Sequence, residues 1–282
     1  MSANNLNNNG LLRDFEFSTQ DFERVRKLIY ERAGISLSAA KQEMVYNRLA
    51  RRLRATGHKS FRDYLAMLEK GDGPEWEAFT NSLTTNLTSF FREIHHFPIL
   101  ADLAEKRKSA GGIMLWSAAC STGEEPYSMA MTMVDLFGTF TPPVRILATD
   151  LDTNVLATAQ SGIYPMEKLS KLSPEKLKKF FVRGTGAEEG SARVRDELRS
   201  IVTFRQINLL DKAWPVRGPF DAIFCRNVMI YFDRQTQRNV LEKFAPLLRS
   251  DGLLFTGHSE NFFFAADLFH LRGNTVYELV NR

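Results

Sequence analysis

Two adjacent carboxylates, Glu124 and Glu125, follow a run of very small residues in the stretch "IMLWSAACSTGEEPYSMAMTM", residues 113–133. Its first half is apolar, as a buried strand is, and its second half continues like a helix. Pro126 suits a first helical turn, where its missing N–H costs nothing. Ala119, Ser121 and Gly123 alternate as small positions, which lets backbone and ligand approach closely. A strand, a tight turn and a helix start place free N–H groups and a positive dipole end beside a ligand. Dinucleotide sites put a pyrophosphate there. Two carboxylates repel a diphosphate and attract an ammonium group. That charge balance selects S-adenosylmethionine, which carries an amino group and a sulfonium and no phosphate.

A second carboxylate position closes the next apolar run, "VRILATD". Asp150 stands where an open α/β sheet offers oxygen atoms to ribose hydroxyls, and Asp152 is an alternative for the same role. Arg92 sits among Phe90, Phe91 and Phe97, an apolar setting in which a charge needs a partner. His95 and His96 are neighbours and point in different directions, and no His/Cys cluster has zinc spacing, so no metal is expected. His258, at a strand end, is read as structural. The two cysteines, Cys120 and Cys225, suggest a reducing compartment, and Cys120 is read as a small tolerated residue of the loop.

The elements that must hold these residues fall into two groups. Residues 15–85 read as helical throughout. Phe22, Val25, Leu28 and Ile29 recur at helical spacing behind a cap at Ser18 or Thr19. Val45, Leu49 and Leu53 form one stripe, and Gly34 and Gly57 are natural stops. "SFRDYLAMLEKG" and "PEWEAFTNSLTTN" complete a small bundle of about four helices. After residue 110, apolar runs alternate with helical segments. Strands are expected over 113–118, 144–150, 202–208, 220–227, 252–258 and 275–280, with an antiparallel return open to the last. Continuously apolar runs separated by helices indicate a parallel sheet covered on both faces. The interval 163–200 breaks the alternation and reads as an inserted hairpin, "FFVRG" and "ARVRD" joined by a glycine-bearing turn. Residues 1–14, rich in asparagine, are expected to be a disordered tip.

The motifs "NSLTTNLTSFFREIHHF", "SAACSTGEEPYSMA", "FDAIFCRNVMIYF" and "GLLFTGHSENF" together resemble the chemotaxis receptor methyltransferase family, CheR, over about residues 15–280. The resemblance implies a Rossmann-like class I methyltransferase α/β fold with a small inserted β-hairpin subdomain, preceded by a small all-α N-terminal domain. Within that plan 15–85 is a receptor-docking domain and 86–98 a linker contributing to the cofactor site. Residues 99–282 are the methyltransferase domain. The implied activity is transfer of a methyl group from S-adenosylmethionine to glutamate carboxylates of bacterial chemoreceptors, leaving S-adenosylhomocysteine.

Carried over by motif, Asn86, Thr88 and Arg92 border the cofactor from the linker. Glu124 holds the amino group and Asp150 the ribose. Asn208 and Leu209 lie on the adenine side, and Arg226, Asn227 and Tyr231 line the methyl end. Arg92 and Tyr231 are the residues assigned to catalysis. A substrate glutamate ionises near pH 4.3, so a general base is not required. The "NVMIYF" segment lacks the Asn-Pro-Pro-Tyr arrangement of amide and exocyclic-amine methyltransferases, which argues against DNA or glutamine as target.

For partners, Arg48, Arg51 and Arg54, with Arg52 at their flank, lie opposite the Val45/Leu49/Leu53 stripe. The resemblance makes this face a dock for the acidic helical bundle of the receptor. It gives the insertion, with its "RGTG" turn and with Arg193 and Arg195, the C-terminal tail of some receptors. A net charge of +4 favours an acidic partner. With no stacking motif or zinc module, nucleic acid is not expected. No apolar run reaches about 18 residues, so no membrane span is expected, and a cytoplasmic monomer is the default. The competing readings are a non-catalytic adenosylmethionine-binding adaptor and a nucleotide-dependent oxidoreductase.

Overall fold

The computed structural model describes residues 13–71, 73–108 and 111–280. The tip expected over 1–14 lies outside them but for its last two residues. The chain forms two compact units, Met1–Thr85 and Asn86–Arg282.

In the first unit, α1 (Thr19–Ala33), α2 (Gln42–Thr56), α3 (Phe61–Glu69) and α4 (Pro74–Leu83) follow one another. Ser18 and Asp21 form a reciprocal capping box at the start of α1, and Gly34 ends it at φ 68°. The stripe residues Phe22, Val25, Ile29, Val45, Leu49 and Leu53 are buried together with Phe61, Tyr64 and Phe79. Burial of such side chains contributes roughly 1.5–3 kcal/mol each, which is what holds short helices that would be marginal alone.

The basic face of α2 divides in a way that periodicity does not reveal. Arg48 donates to the carbonyls of Ser82 and Thr84 at 3.3 and 2.6 Å, closing the C-terminal end of α4. Arg52 makes a two-pronged pair with Glu75 at 3.0 and 2.7 Å, and the Tyr64 hydroxyl donates to the same carboxylate at 2.8 Å. Arg54 pairs with Asp14 at the surface. Arg51 is exposed. Of the four arginines expected on a docking face, Arg48 and Arg52 thus serve the bundle, Arg54 pairs with Asp14, and Arg51 has no partner among the described residues.

The second unit opens with α5 (His96–Lys106). Its main sheet contains β1 (Ile113–Ser117), β2 (Val144–Asp150), β6 (Val202–Gln206), β7 (Phe220–Phe224), β8 (Leu248–Phe255), β9 (Phe269–Gly273) and β10 (Val276–Leu279). The strand order is β6-β2-β1-β7-β8-β10-β9. The pairs from β6 to β8 are parallel and those of β10 antiparallel. α6 (Glu124–Phe137) and α7 (Thr153–Ser161) are the connections on either side of β2, and α10 (Arg234–Phe244) joins β7 to β8. One core places Met129, Ala130 and Met133 of α6 with Leu115, Ile146 and Phe224 of the sheet. The other places Val240, Leu241 and Phe244 of α10 with Trp116, Ile223 and Leu254. Order reverses between β1 and β7, and the ligand crevice of such sheets lies at that reversal, beyond the carboxyl ends of the strands.

The insertion contains β3 (Ile163–Pro165), α8 (Pro174–Phe180), β4 (Phe181–Arg183), β5 (Ser191–Val194) and α9 (Asp196–Arg199), its sheet ordered β3-β5-β4. The expected hairpin is thus a three-stranded sheet with "ARVRD" at its centre. The strands expected at 202–208 and 220–227 end earlier, at Gln206 and Phe224, where the chain turns away to build loops.

Candidate functional site

Loop Ala118–Gly123 connects β1 to α6 at the order reversal. Gly123 is obligatory on two counts. Its φ is 96°, and an added Cβ would fall 2.8 Å from the Ala159 Cβ and 2.9 Å from the Tyr164 hydroxyl. Ser121 also has positive φ, 48°, and its N–H donates at 2.8 Å to Asp150 at the end of β2. Its hydroxyl donates to the Asn86 carbonyl at 3.1 Å, tying the linker to the loop.

The two glutamates separate completely. Glu124 is 1% exposed and receives the Thr122 hydroxyl at 2.6 Å and the Lys168 ammonium at 3.0 Å. Glu125 turns the other way, accepting from the Ser117 hydroxyl at 2.7 Å and from Arg226 at 3.1 Å. Burial raises the Glu125 carboxyl above its ordinary range, with the Arg226 guanidinium opposing. The charge argument for an ammonium-bearing ligand consequently rests on Glu124 alone. Lys168, from the insertion, demonstrates that this carboxylate accommodates an ammonium.

Asp150 accepts the N–H groups of Ser121 and Asp152, at 2.8 and 3.0 Å. Burial pushes its carboxyl up to about 6, against those two donors. Asp152, the alternative ribose ligand, is the cap of α7, receiving the Asn154 and Val155 N–H groups and the Asn86 amide at 2.9, 3.4 and 2.8 Å. Both carboxylates are thus engaged, but Asp150 is half-buried where Asp152 is 2% exposed. Asn86 is thereby fixed through its side chain as well as its carbonyl. Thr88 is half-buried on the same segment.

The guanidinium of Arg226, a residue expected to line the methyl end, is paired within the protein. It is 5% exposed, pairs with Glu93 at 3.3 Å and Glu125 at 3.1 Å, and donates to the Arg92 carbonyl. It ties the end of β7, the start of α6 and the linker together. Burial raises the Glu93 carboxyl, but Arg226 and Asn227 outweigh it and hold the group below its ordinary range. Asn227, at φ 59°, donates to Glu93 at 3.2 Å, and its own N–H reaches Glu260 at 3.0 Å. Glu260 also receives the Met229 N–H at 2.8 Å and that of Gly257. A Cβ on Gly257 would stand 2.3 Å from the Asn227 amide nitrogen. Phe91, Glu93, Ser121 and Asn227 all have positive φ. Strain of this kind persists only where surrounding contacts over-determine it, and it concentrates at working sites.

Two groups on these segments keep free polar atoms. Arg92 is half-buried and donates to the Leu87 carbonyl at 2.7 Å, with no carboxylate partner among the described residues. Tyr231 ends the turn after Asn227, half-buried, its hydroxyl without a hydrogen-bond partner among the described residues. On the adenine side, Asn208 turns the chain after β6, its side-chain oxygen accepting the Leu210 N–H at 3.0 Å. Leu209 is 5% exposed in the core around Trp116. His96 is neutral, since burial and the nearby Arg226 push it down to about 4, and its Nε2 lies 3.0 Å from the Asn274 carbonyl. Burial drives the Cys120 thiol well up, so it stays protonated.

Sequence reasoning missed Glu93, Glu260, Tyr164 and Lys168. Glu93 carried a signal, since the charge of Arg92 in a run of phenylalanines asks what acid lies nearby. Lys168 carried none, being one lysine of several in "MEKLSKLSPEKLKK".

The family model described as "CheR methyltransferase, SAM binding domain" matches residues 86–277, and "CheR methyltransferase, all-alpha domain" matches residues 20–84. The chain is 57% identical over 263 residues to a chemotaxis protein methyltransferase of Escherichia coli K12, covering 93% of this chain and 91% of that protein. It is 52% identical over 266 residues to chemotaxis protein methyltransferase 2 of Pseudomonas aeruginosa, covering 94% and 95%. Over 286 residues it is 36% identical to a chemotaxis protein methyltransferase of Borreliella burgdorferi, covering 98% and 97%.

Proposed function

This chain belongs to the CheR methyltransferase family, and from that premise we infer how its own residues move a methyl group from S-adenosylmethionine to glutamate side chains of chemoreceptors. The observation that carries the reading is the buried Glu124 carboxylate bonded to an ammonium at the start of α6. The residues fit the methyl donor: Gly123 lets the loop turn tightly against Ala159 and Tyr164 into the start of α6, Glu124 would take the donor's amino group in place of Lys168, and Asp150 would accept from its ribose. Asn86, Thr88, Asn208 and Leu209 border it. Bound there, S-adenosylmethionine supplies an electrophilic methyl group on a positively charged sulfur.

The substrate glutamate arrives ionised, its unperturbed pKa being about 4.3. The protein's task is then alignment and exclusion of water, not proton removal. Arg92 meets the carboxylate and Tyr231 donates to it, while Asn227 and Arg226 hold the backbone on which both stand. Arg226 acts as a positioning residue through Glu93 and Glu125.

For the partner, Arg51 of α2 is the cation left without an ion pair, and with the exposed Arg54, which pairs with Asp14, it meets an acidic receptor helix. A receptor tail adds to the insertion at β4, an outer strand whose Val182 is 52% exposed. Among the described residues no helix is long and apolar enough to cross a membrane; we place the protein in the cytoplasm as a single copy. Incubating the full chain with methyl-labelled donor and receptor-bearing membranes tests the function. Base-labile label on the receptor is the expected result. Donor binding without label on any membrane protein would leave only the adaptor reading.

A further inference from the structure

α10 covers one face of the sheet at β1, β7 and β8, but no helix joins β6 to β7. Residues 207–219 make that connection as a loop, and it leaves the same face incompletely covered over β6 and β2. The parallel register places Met114 beside Arg145, and Leu147 beside Thr203. Alternation then puts Arg145 and Leu147 of β2 on one face with Thr203 and Arg205 of β6. A cavity of about 500 Å³ lies there, floored by apolar side chains that include Met114, Leu147, Val216 and Phe220. Its volume falls within the range of small-molecule sites.

Its charge is one-sided. Arg145, Arg205 and Arg217 line it, and no aspartate or glutamate does. All three arginines are exposed, and none has a hydrogen-bond or ion-pair partner among the described residues. Other arginines of this unit do stand against carboxylates, among them Arg238 with Asp267 and Arg107 with Asp221. Three exposed like charges around one hollow give it a positive potential that favours an anion. Arg205 is in register with Thr149, four residues along β2 from Arg145. The two backbones are therefore roughly 13 Å apart along the strands. A single spherical ion does not span that distance with an apolar floor to cover as well. A guanidinium matches phosphate oxygens in a fork and also stacks on planar rings.

We propose that this cavity binds a nucleoside polyphosphate, its base on the Met114/Leu147/Val216 floor and its phosphates between Arg145, Arg205 and Arg217. The cavity lies on the faces of β2 and β6, whereas the methyl-donor crevice opens at the carboxyl ends of β1 and β2, and the two come nearest at Gln206 and Ile207, next to Asn208. The proposal does not depend on the assignments made there.

Calorimetric titration of the full chain with ATP, and separately with GTP, tests it. Saturating S-adenosylhomocysteine is present throughout, so that the crevice is closed to the probe. Binding of one equivalent of at least one nucleotide is expected, weakening steeply with salt. Pyrophosphate should bind at least tenfold more weakly, because it cannot use the floor. The double variant R145E/R205E should lose at least tenfold in nucleotide affinity and keep its affinity for S-adenosylhomocysteine, which verifies that it is folded. No binding up to millimolar ATP or GTP would overturn the proposal. So would equal affinity for pyrophosphate, an unchanged affinity in the folded double variant, or displacement of nucleotide by polyglutamate at equal charge, which would assign the cavity to an acidic peptide.

Discussion

The helical unit and the α/β unit use charged side chains in opposite ways. In the bundle, Arg48 and Arg52 reach back into their own domain, one to the carbonyls that end α4 and the other to Glu75. At the crevice, Arg226 is bound just as firmly to Glu93 and Glu125, whereas Arg92 on the linker and Asp150 at the end of β2 have no ion-pair partner among the described residues. A charge paired inside a fold stabilises that fold. A charge left without a counterion, on backbone held rigid by paired ones, is available to a ligand.

The comparison breaks most visibly at Arg226. Replacing it by methionine leaves Glu93 and Glu125 without their counterion, and breaking a buried pair costs about 3–5 kcal/mol. A urea midpoint unchanged from the parent protein would show that Arg226 is not what holds these segments. Next is Arg92, where Arg92→Ala should lower turnover by about a hundredfold, the usual effect of removing one oriented donor to reacting oxygen. Affinity for S-adenosylhomocysteine should stay within about threefold. A joint loss of both would move Arg92 from the substrate to the donor.

Asp150 sharpens the contrast through pH. Its carboxyl titrates near 6 in the free protein because burial disfavours the charge. The ionised form accepts from ribose hydroxyls, so donor binding releases a proton at pH values below about 6. Affinity should thus be level above pH 7 and fall by up to about tenfold per unit below 6. Asp150→Asn should flatten that dependence, and a profile equally steep in the variant would assign it to another group. The smallest effect belongs to α2. Charge reversal at Arg51 and Arg54 should weaken receptor binding several-fold at low salt, and hardly at all at high salt, where exposed charges are screened. The same reversal at Arg48 and Arg52 should show in the melting temperature instead.

Much of the fold was legible because its signals are local. Apolar runs such as "IMLWS" and "FDAIF" announce buried parallel strands, and Gly34 and Gly57 mark helix ends by their backbone freedom. β9 was not legible: "FHLRG" is mostly exposed at the sheet edge and shows no apolar run. β3, "IYP", is too short for a period to register. At the site, Glu124 and Asp150 were readable from their places at a helix start and a strand end. The separate roles of Glu124 and Glu125 were not, because the deciding partner, Arg226, lies 101 residues away. Periodicity likewise set the arginines of α2 opposite the stripe, but it carries no information about α4, whose carbonyls and Glu75 claim two of them.

The insertion reaches the crevice through two atoms. The Tyr164 hydroxyl donates to the Thr122 carbonyl at 2.6 Å, and the Lys168 ammonium reaches Glu124 at 3.0 Å. Tyr164 also packs edge-on against Phe90, with ring centroids 5.1 Å apart. The graft thus furnishes the partners of one loop carbonyl and one buried acid, and a shortened descendant lacking it would leave both to solvent or to an incoming ammonium.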